Sequence, residues 1–166
     1  GGPAPDRPPA AGGPLMASIQ TNISKGREVE FYNRVLTNDP TNAALTWTVT
    51  TAGPSLATFQ DYDTVTALLA GSANEVTNAG YGRINLTDAD LSAWTPDDTN
   101  NRIQLFLDLQ TYTAIAAGNT WQHLVIAYTP DTGTSTDADR IPITVSEILY
   151  NGSYVVPNGD DIFIDG

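Results

Sequence analysis

The 166-residue sequence contains no cysteine, one histidine and only seven basic residues. Without thiols the chain forms neither disulfides nor thiolate metal sites, so its stability depends on packing or on assembly with other chains. Nineteen acidic residues give a net charge of −12, which repels nucleic-acid phosphates and anionic membrane surfaces. No apolar run approaches the roughly 20 residues of a membrane-spanning helix. We therefore expect no direct nucleic-acid partner and no membrane partner.

Charged residues are also scarce, at 16% of the chain, while hydrophobic residues reach an ordinary 40%. Threonine, asparagine, serine and glycine fill the connecting segments. Threonine suits pleated strands, and asparagine and glycine suit tight turns. The composition therefore favours a mainly β fold, and the length predicts one β-rich domain over residues 16–166.

The first fifteen residues hold five prolines and four glycines. Such a segment cannot supply a hydrophobic core or a regular ladder of backbone hydrogen bonds. Residues 1–15 are therefore predicted to be an extended arm, or else an expression remnant placed before Met16.

Two short helices are predicted. Apolar residues within 29–36 approximate helical spacing, and the Asp39-Pro40 step would end that helix. A second helical pattern covers residues 62–69 and closes at Gly71.

Strand patterns dominate the rest. Residues 45–50 alternate apolar side chains with threonine, which predicts a half-buried strand. Asn151-Gly152 predicts a type I′ hairpin turn, because both residues tolerate positive φ. The predicted fold is a single-domain antiparallel β-sandwich or barrel-like fold with one or two short helices. Further strands are predicted at residues 81–86, 103–109, 121–128, 141–149, 153–156 and 162–164.

His123 is the only histidine and lies inside an apolar strand pattern. A catalytic role would need a nucleophile and an orienting acid, and no nucleophile-elbow motif accompanies any serine. A zinc site without cysteine would ordinarily need two or three histidines. We therefore predict a structural histidine, and no catalytic, cofactor-binding or metal-ligating residue in this chain.

Aspartates recur in the predicted loops: Asp88, Asp90, Asp97, Asp98, Asp131, Asp137, Asp139, Asp160 and Asp161. Calcium could bind such oxygens, but the sequence around Asp137 and Asp139 lacks the glycine and distal glutamate of an EF-hand loop. A paired-carboxylate hydrolase is a further alternative. Acidic turns that hydrogen-bond their own backbone are the favoured interpretation.

The three tryptophans are potential anchors for a partner or a sugar. Trp47 and Trp121 alternate correctly within predicted strands, so both are assigned to the core. Trp94 lies beside Pro96 and an acidic turn, and is the surface candidate.

Four segments of the chain resemble small proteins encoded among the head genes of tailed bacteriophages. The resemblance runs from about Met16 to Thr144, and is most specific at residues 78–86, 98–102 and 127–131. The segments are GREVEFYNRVLTNDPTNAALTW, DYDTVTALLAGSANEVTNAGYGRINLTDADL, DDTNNRIQLFL and NTWQHLVIAYTPDTGTSTDADRIPIT. The arm before Met16 and the residues after Leu149 depart from the pattern.

The resemblance implies a non-enzymatic virion protein. The expected role is a capsid decoration, or cement, protein on the outside of the major capsid shell, with the major capsid protein as partner. A cyclic homo-oligomer such as a trimer would fit closed symmetry. The alternatives are a tail, neck or fibre component that contacts host glycan through Trp94, and a hydrolase that uses Asp137 and Asp139.

Overall fold

A computed structural model describes residues 17–71 and 73–164, so the predicted arm lies outside the described residues. The described part contains eleven strands and three short helices, which confirms the mainly β class. In chain order they are β1 (Ser18–Gln20), α1 (Glu28–Leu36), β2 (Ala44–Thr50), α2 (Leu56–Phe59), α3 (Val65–Ala70), β3 (Ile84–Leu86), β4 (Thr95–Asp97), β5 (Arg102–Gln104), β6 (Gln110–Tyr112), β7 (His123–Thr129), β8 (Ile141–Glu147), β9 (Leu149–Tyr150), β10 (Ser153–Tyr154) and β11 (Ile162–Ile164).

The centre of the fold is one five-stranded antiparallel sheet with the order β1-β8-β7-β2-β3. Strands β2, β7 and β8 are seven residues long, and β2 pairs with β7 along its whole length. Three two-stranded ribbons complete the strands: β4–β5, β6–β11 and β9–β10. The predicted fold class thus takes the form of one long sheet and three short ribbons.

Each face of the sheet packs on its own hydrophobic cluster. Trp47 and Leu124 pack with Phe31 of α1 and with residues of the β6–β11 ribbon. Val125, on the opposite face, packs with Phe59 of α2 and with residues of α3. Burying one such side chain contributes roughly 1.5–3 kcal/mol, so the two clusters hold the sheet in place.

Strand β2 differs from its prediction, because all seven of its residues are buried. The threonine face, expected to meet solvent, is covered by α2 and α3: Thr48 lies opposite Val125, which belongs to their cluster. Thr46 shares a 2.6 Å hydrogen bond with Thr129 on β7. The predicted strand is therefore confirmed, but its half-buried character was wrong, because the threonine face is covered.

Both predicted helices are confirmed, and a third was missed. Helix α1 ends as predicted before Asp39, whereas α3 begins at Val65, three residues later than Tyr62. The Thr64 side chain caps α3 by accepting a hydrogen bond from the Ala67 amide at 3.1 Å. Helix α2 has only four residues, too few to produce a helical period in the sequence.

The predicted hairpin at Asn151-Gly152 is confirmed. These residues have φ of 50° and 76° and join β9 to β10, as a type I′ turn requires. The predicted strand over residues 103–109 is largely wrong: only Arg102–Gln104 pairs, with β4. Strands β1, β4 and β6, of three residues each, had no strand prediction.

Candidate interaction surface

His123 is a buried residue of the core, only 4% exposed. Its ring lies 5.0 Å from the ring of Phe59 and 6.1 Å from that of Tyr154, and its Nδ1 has no hydrogen-bond partner. Burial lowers the pKa of the imidazole, against a smaller opposing effect of the Glu147 carboxylate. The ring is therefore a neutral packing element, which agrees with the predicted structural role.

Asp137 and Asp139 serve different structural purposes. Asp137 forms ion pairs with Arg83 and Arg140, and Arg83 also pairs with Glu75 at 2.6 Å. The hydrogen bond from Arg83 is the main cause of a lowered Asp137 pKa. This half-buried network was not predicted from the sequence, because its members are up to 65 positions apart and no local pattern connects them.

Asp139 and several other loop aspartates stabilise the turns in which they lie by accepting local backbone hydrogen bonds, as predicted. The Asp139 carboxylate accepts hydrogen bonds from the Thr136 amide and hydroxyl, both at 2.8 Å. The same local pattern recurs at Asp90, Asp97 and Asp131. Within residues 17–71 and 73–164, no three histidine or acidic side chains are grouped so that they could hold a metal ion.

The tryptophans lie where they were predicted. Trp47 and Trp121 are fully buried, whereas Trp94 is 36% exposed. The Trp94 Nε1 donates a 2.7 Å hydrogen bond to the side chain of Asn33 on α1, so the exposed ring is fixed against the helix. Trp94 thus supplies the first member of an exposed apolar surface.

We name this first surface the ribbon surface: Trp94, Ile103, Phe106 and Leu109, all exposed. It follows the β4–β5 ribbon and the loop after it. The Tyr32 hydroxyl donates to the carbonyls of Ser92 at 2.8 Å and Phe106 at 3.0 Å. One core tyrosine of α1 therefore fastens the segment before β4 and the segment after β5 to the body of the domain.

A second apolar surface, the hairpin groove, lies at the β9–β10 ribbon and includes residues of β11. This cleft of about 330 Å³ is lined by residues 148–150, 153–158 and 160–163. Tyr150 and Val156 on its rim are 45% and 66% exposed. The Tyr154 hydroxyl donates to Glu147 at 3.1 Å, and the Trp121 amide donates to the Val155 carbonyl at 2.8 Å. These bonds tie the hairpin to the sheet.

Comparisons with protein-family models, curated proteins and solved structures found no match to this chain. No helix among the described residues is long and apolar enough to cross a membrane. The geometry of the chain itself therefore carries the functional argument. It presents two apolar surfaces on ribbons attached to a buried sheet, an arrangement suited to binding another macromolecule.

Proposed function

We propose that this chain is a non-enzymatic structural protein of a tailed bacteriophage virion, a capsid decoration protein that binds the outside of the major capsid shell. The observation that carries the proposal is the exposure of aromatic and aliphatic side chains on two anchored ribbons. Isolated exposed apolar residues are common, but groups of them on one feature mark interaction sites. The resemblance of residues 16–144 to phage head proteins supplies the virion context.

The buried charges of the chain support a passive role. Asp137, a half-buried carboxylate of the alternative hydrolase site, is held by two arginines. An ion-paired carboxylate with a lowered pKa is a poor base near neutral pH. In the proposed role, a homo-oligomer such as a trimer contacts several capsid subunits, so modest individual contacts combine into tight attachment.

Co-sedimentation with capsids tests the proposal. Purified chain is mixed with capsids, assembled without it, from the phage that encodes it. Wild-type chain is expected to pellet with the capsids in a saturable way, and Tyr150→Ser is expected to pellet less because the groove rim loses an exposed aromatic contact. Thr66→Ala, an exposed position of α3, is the matched control. Wild-type chain that stays in the supernatant would contradict the capsid role.

Trp94 favours a second candidate, a tail, neck or fibre component that contacts host glycan. Its half-exposed ring is fixed by Asn33, and fixed aromatic rings suit stacking on sugar faces. Binding to host surface glycans that disappears in Trp94→Ala, but persists in Thr66→Ala, would support this candidate. Absence of glycan binding by the wild-type chain would remove it.

A further inference from the structure

We propose that the hairpin groove binds a polypeptide segment of a partner protein in which apolar side chains are flanked by lysine or arginine. The inference rests on the proposed function, since it names the chemistry of the partner segment that a virion-binding chain would take. It goes further by assigning the contact to one surface and one charge pattern.

The floor and walls of the groove are mainly apolar. Tyr150, Val156 and Phe163 line it beside the buried Pro157. A cleft of about 330 Å³ falls at the small end of the range for ligand sites, enough for a few side chains. Two of the lining rings, Tyr150 and Tyr154, are exposed, and such amphipathic rings are typical anchors of protein interfaces.

The charge around the groove has one sign. Asp160 and Asp161 line it and are exposed, and Glu147 is hydrogen-bonded to the lining residue Tyr154. From residue 141 to the end, the sequence contains no lysine, arginine or histidine. None of the ion pairs in the described part of the chain involves these three carboxylates.

This charge pattern selects the occupant. The five arginines in the described part form ion pairs with Glu30, Glu75, Asp97 or Asp137, and none of these residues lines the groove. A cationic segment would therefore complete the acidic rim, whereas anionic ligands are repelled. A second copy that presents the same groove is disfavoured as the occupant, because the acidic side chains of the two grooves would then face each other.

Peptide titration followed by NMR tests the inference on the full chain. The probes are the hexapeptide Lys-Leu-Val-Leu-Lys-Gly and two controls, Glu-Leu-Val-Leu-Glu-Gly and Lys-Ser-Ser-Ser-Lys-Gly. The first peptide is expected to shift the backbone amide signals of residues 148–163 in a saturable way. Both controls are expected to bind about tenfold more weakly or not at all, because each lacks one half of the required chemistry.

Variants locate the contact. Tyr150→Ser is expected to weaken binding of the first peptide about tenfold, as for loss of one aromatic anchor. Asp160→Asn is expected to weaken it about two- to fivefold, as for one exposed charge pair. Ile103→Ser, which removes an equally exposed apolar side chain from the ribbon surface, is the control and should bind as wild type does.

Several outcomes would overturn the inference. Equal binding of the lysine and glutamate peptides would remove the charge argument, and shifts outside residues 148–163 would remove the site. Self-association abolished by Tyr150→Ser would identify a second copy as the occupant. If the peptide bound only after deletion of residues 1–16, this segment of the same chain would be identified as the occupant of the groove. The Tyr150→Ser variant could also lose peptide binding and still pellet with capsids. That result would show that the groove is not the capsid contact, which would end this inference and leave the proposed function intact.

Discussion

The five-stranded sheet and the β4–β5 and β9–β10 ribbons use apolar side chains in opposite ways, while the β6–β11 ribbon packs in the core with the sheet. In β2 and β7 every residue is buried, and both faces of the sheet are covered. The ribbons have strands of two or three residues, and the exposed large apolar side chains of the described residues lie on them or beside them. The comparison indicates a division of labour: the sheet supplies the stability, and these two ribbons carry the exposed apolar surfaces to which we propose that partners bind.

Removing a central side chain of the sheet should have the largest effect. Trp47→Ala is expected to lower the free energy of unfolding by about 3–5 kcal/mol, because it empties a fully buried site. Trp94→Ala, the matched change at the ribbon surface, should cost about 1 kcal/mol for the lost hydrogen bond to Asn33 and partial burial. Urea denaturation measures both. Equal losses would contradict the division of labour.

Breaking the Arg83 network should have an intermediate effect. Arg83→Met leaves the half-buried Glu75 and Asp137 without this partner, so we expect a loss of about 1–3 kcal/mol at pH 7. Because the pKa of Asp137 is lowered, its contribution is present above the ordinary carboxyl pKa and is lost as pH falls through the folded value. The difference between wild type and variant should therefore shrink in acid.

Arg102→Met is the control for that prediction. Its ion pair with Asp97 belongs to the β4–β5 ribbon, and the Arg102 side chain is 60% exposed. Because water screens the exposed guanidinium, this pair should contribute less than the Arg83 network does. Urea denaturation of both variants at pH 7 and pH 4 checks the contrast. A larger loss from Arg102→Met than from Arg83→Met would show that the ribbon carries more stability than the network.

His123 should make stability depend on pH. Burial lowers its folded pKa below the ordinary 6.5, so the unfolded chain binds the proton more readily. Stability should then fall as pH drops below 6.5, by at most about 1.4 kcal/mol per pH unit from this group. Denaturation of wild type and His123→Gln at pH 7.5, 6.5 and 5.5 isolates the effect. An identical pH dependence in the variant would contradict it.

Truncating the exposed ribbon residues should have the smallest effect on stability. Tyr150→Ser and Ile103→Ser are each expected to change the free energy of unfolding by less than about 0.5 kcal/mol, the usual range for surface positions. Thermal denaturation beside the capsid assay checks this. If Tyr150→Ser unfolded the chain as readily as a core variant, its reduced pelleting would carry no information about binding.

The sequence was most informative where local patterns decide structure. Helix α1 and the Asn151-Gly152 turn follow from spacing and from backbone preference within a few residues. Strands β1 and β6 were missed because their sequences, SIQ and QTY, are short and mostly polar, whereas the equally short β11, IFI, was predicted from its apolar residues. The buried threonine face of β2 depends on helices elsewhere in the chain.

The candidate surface was only partly predictable. Trp94 stood out because it lies beside proline and an acidic turn, and its exposure is confirmed. The hairpin groove gave no signal, since Tyr150 and Val156 belong to ordinary strand patterns and only the fold determines which side chains remain uncovered. The absence of basic residues after Arg140 was visible in the sequence. It indicated a cationic partner only once the structure showed that acidic residues of this region line an apolar groove.

Electron cryomicroscopy of virions that carry this chain tests the central claim most directly. The account predicts the chain on the outer surface of the capsid shell, with Tyr150 and Val156 covered by a neighbouring protein. Virions that lack the chain, or that carry it with both apolar surfaces open to solvent, would contradict the account.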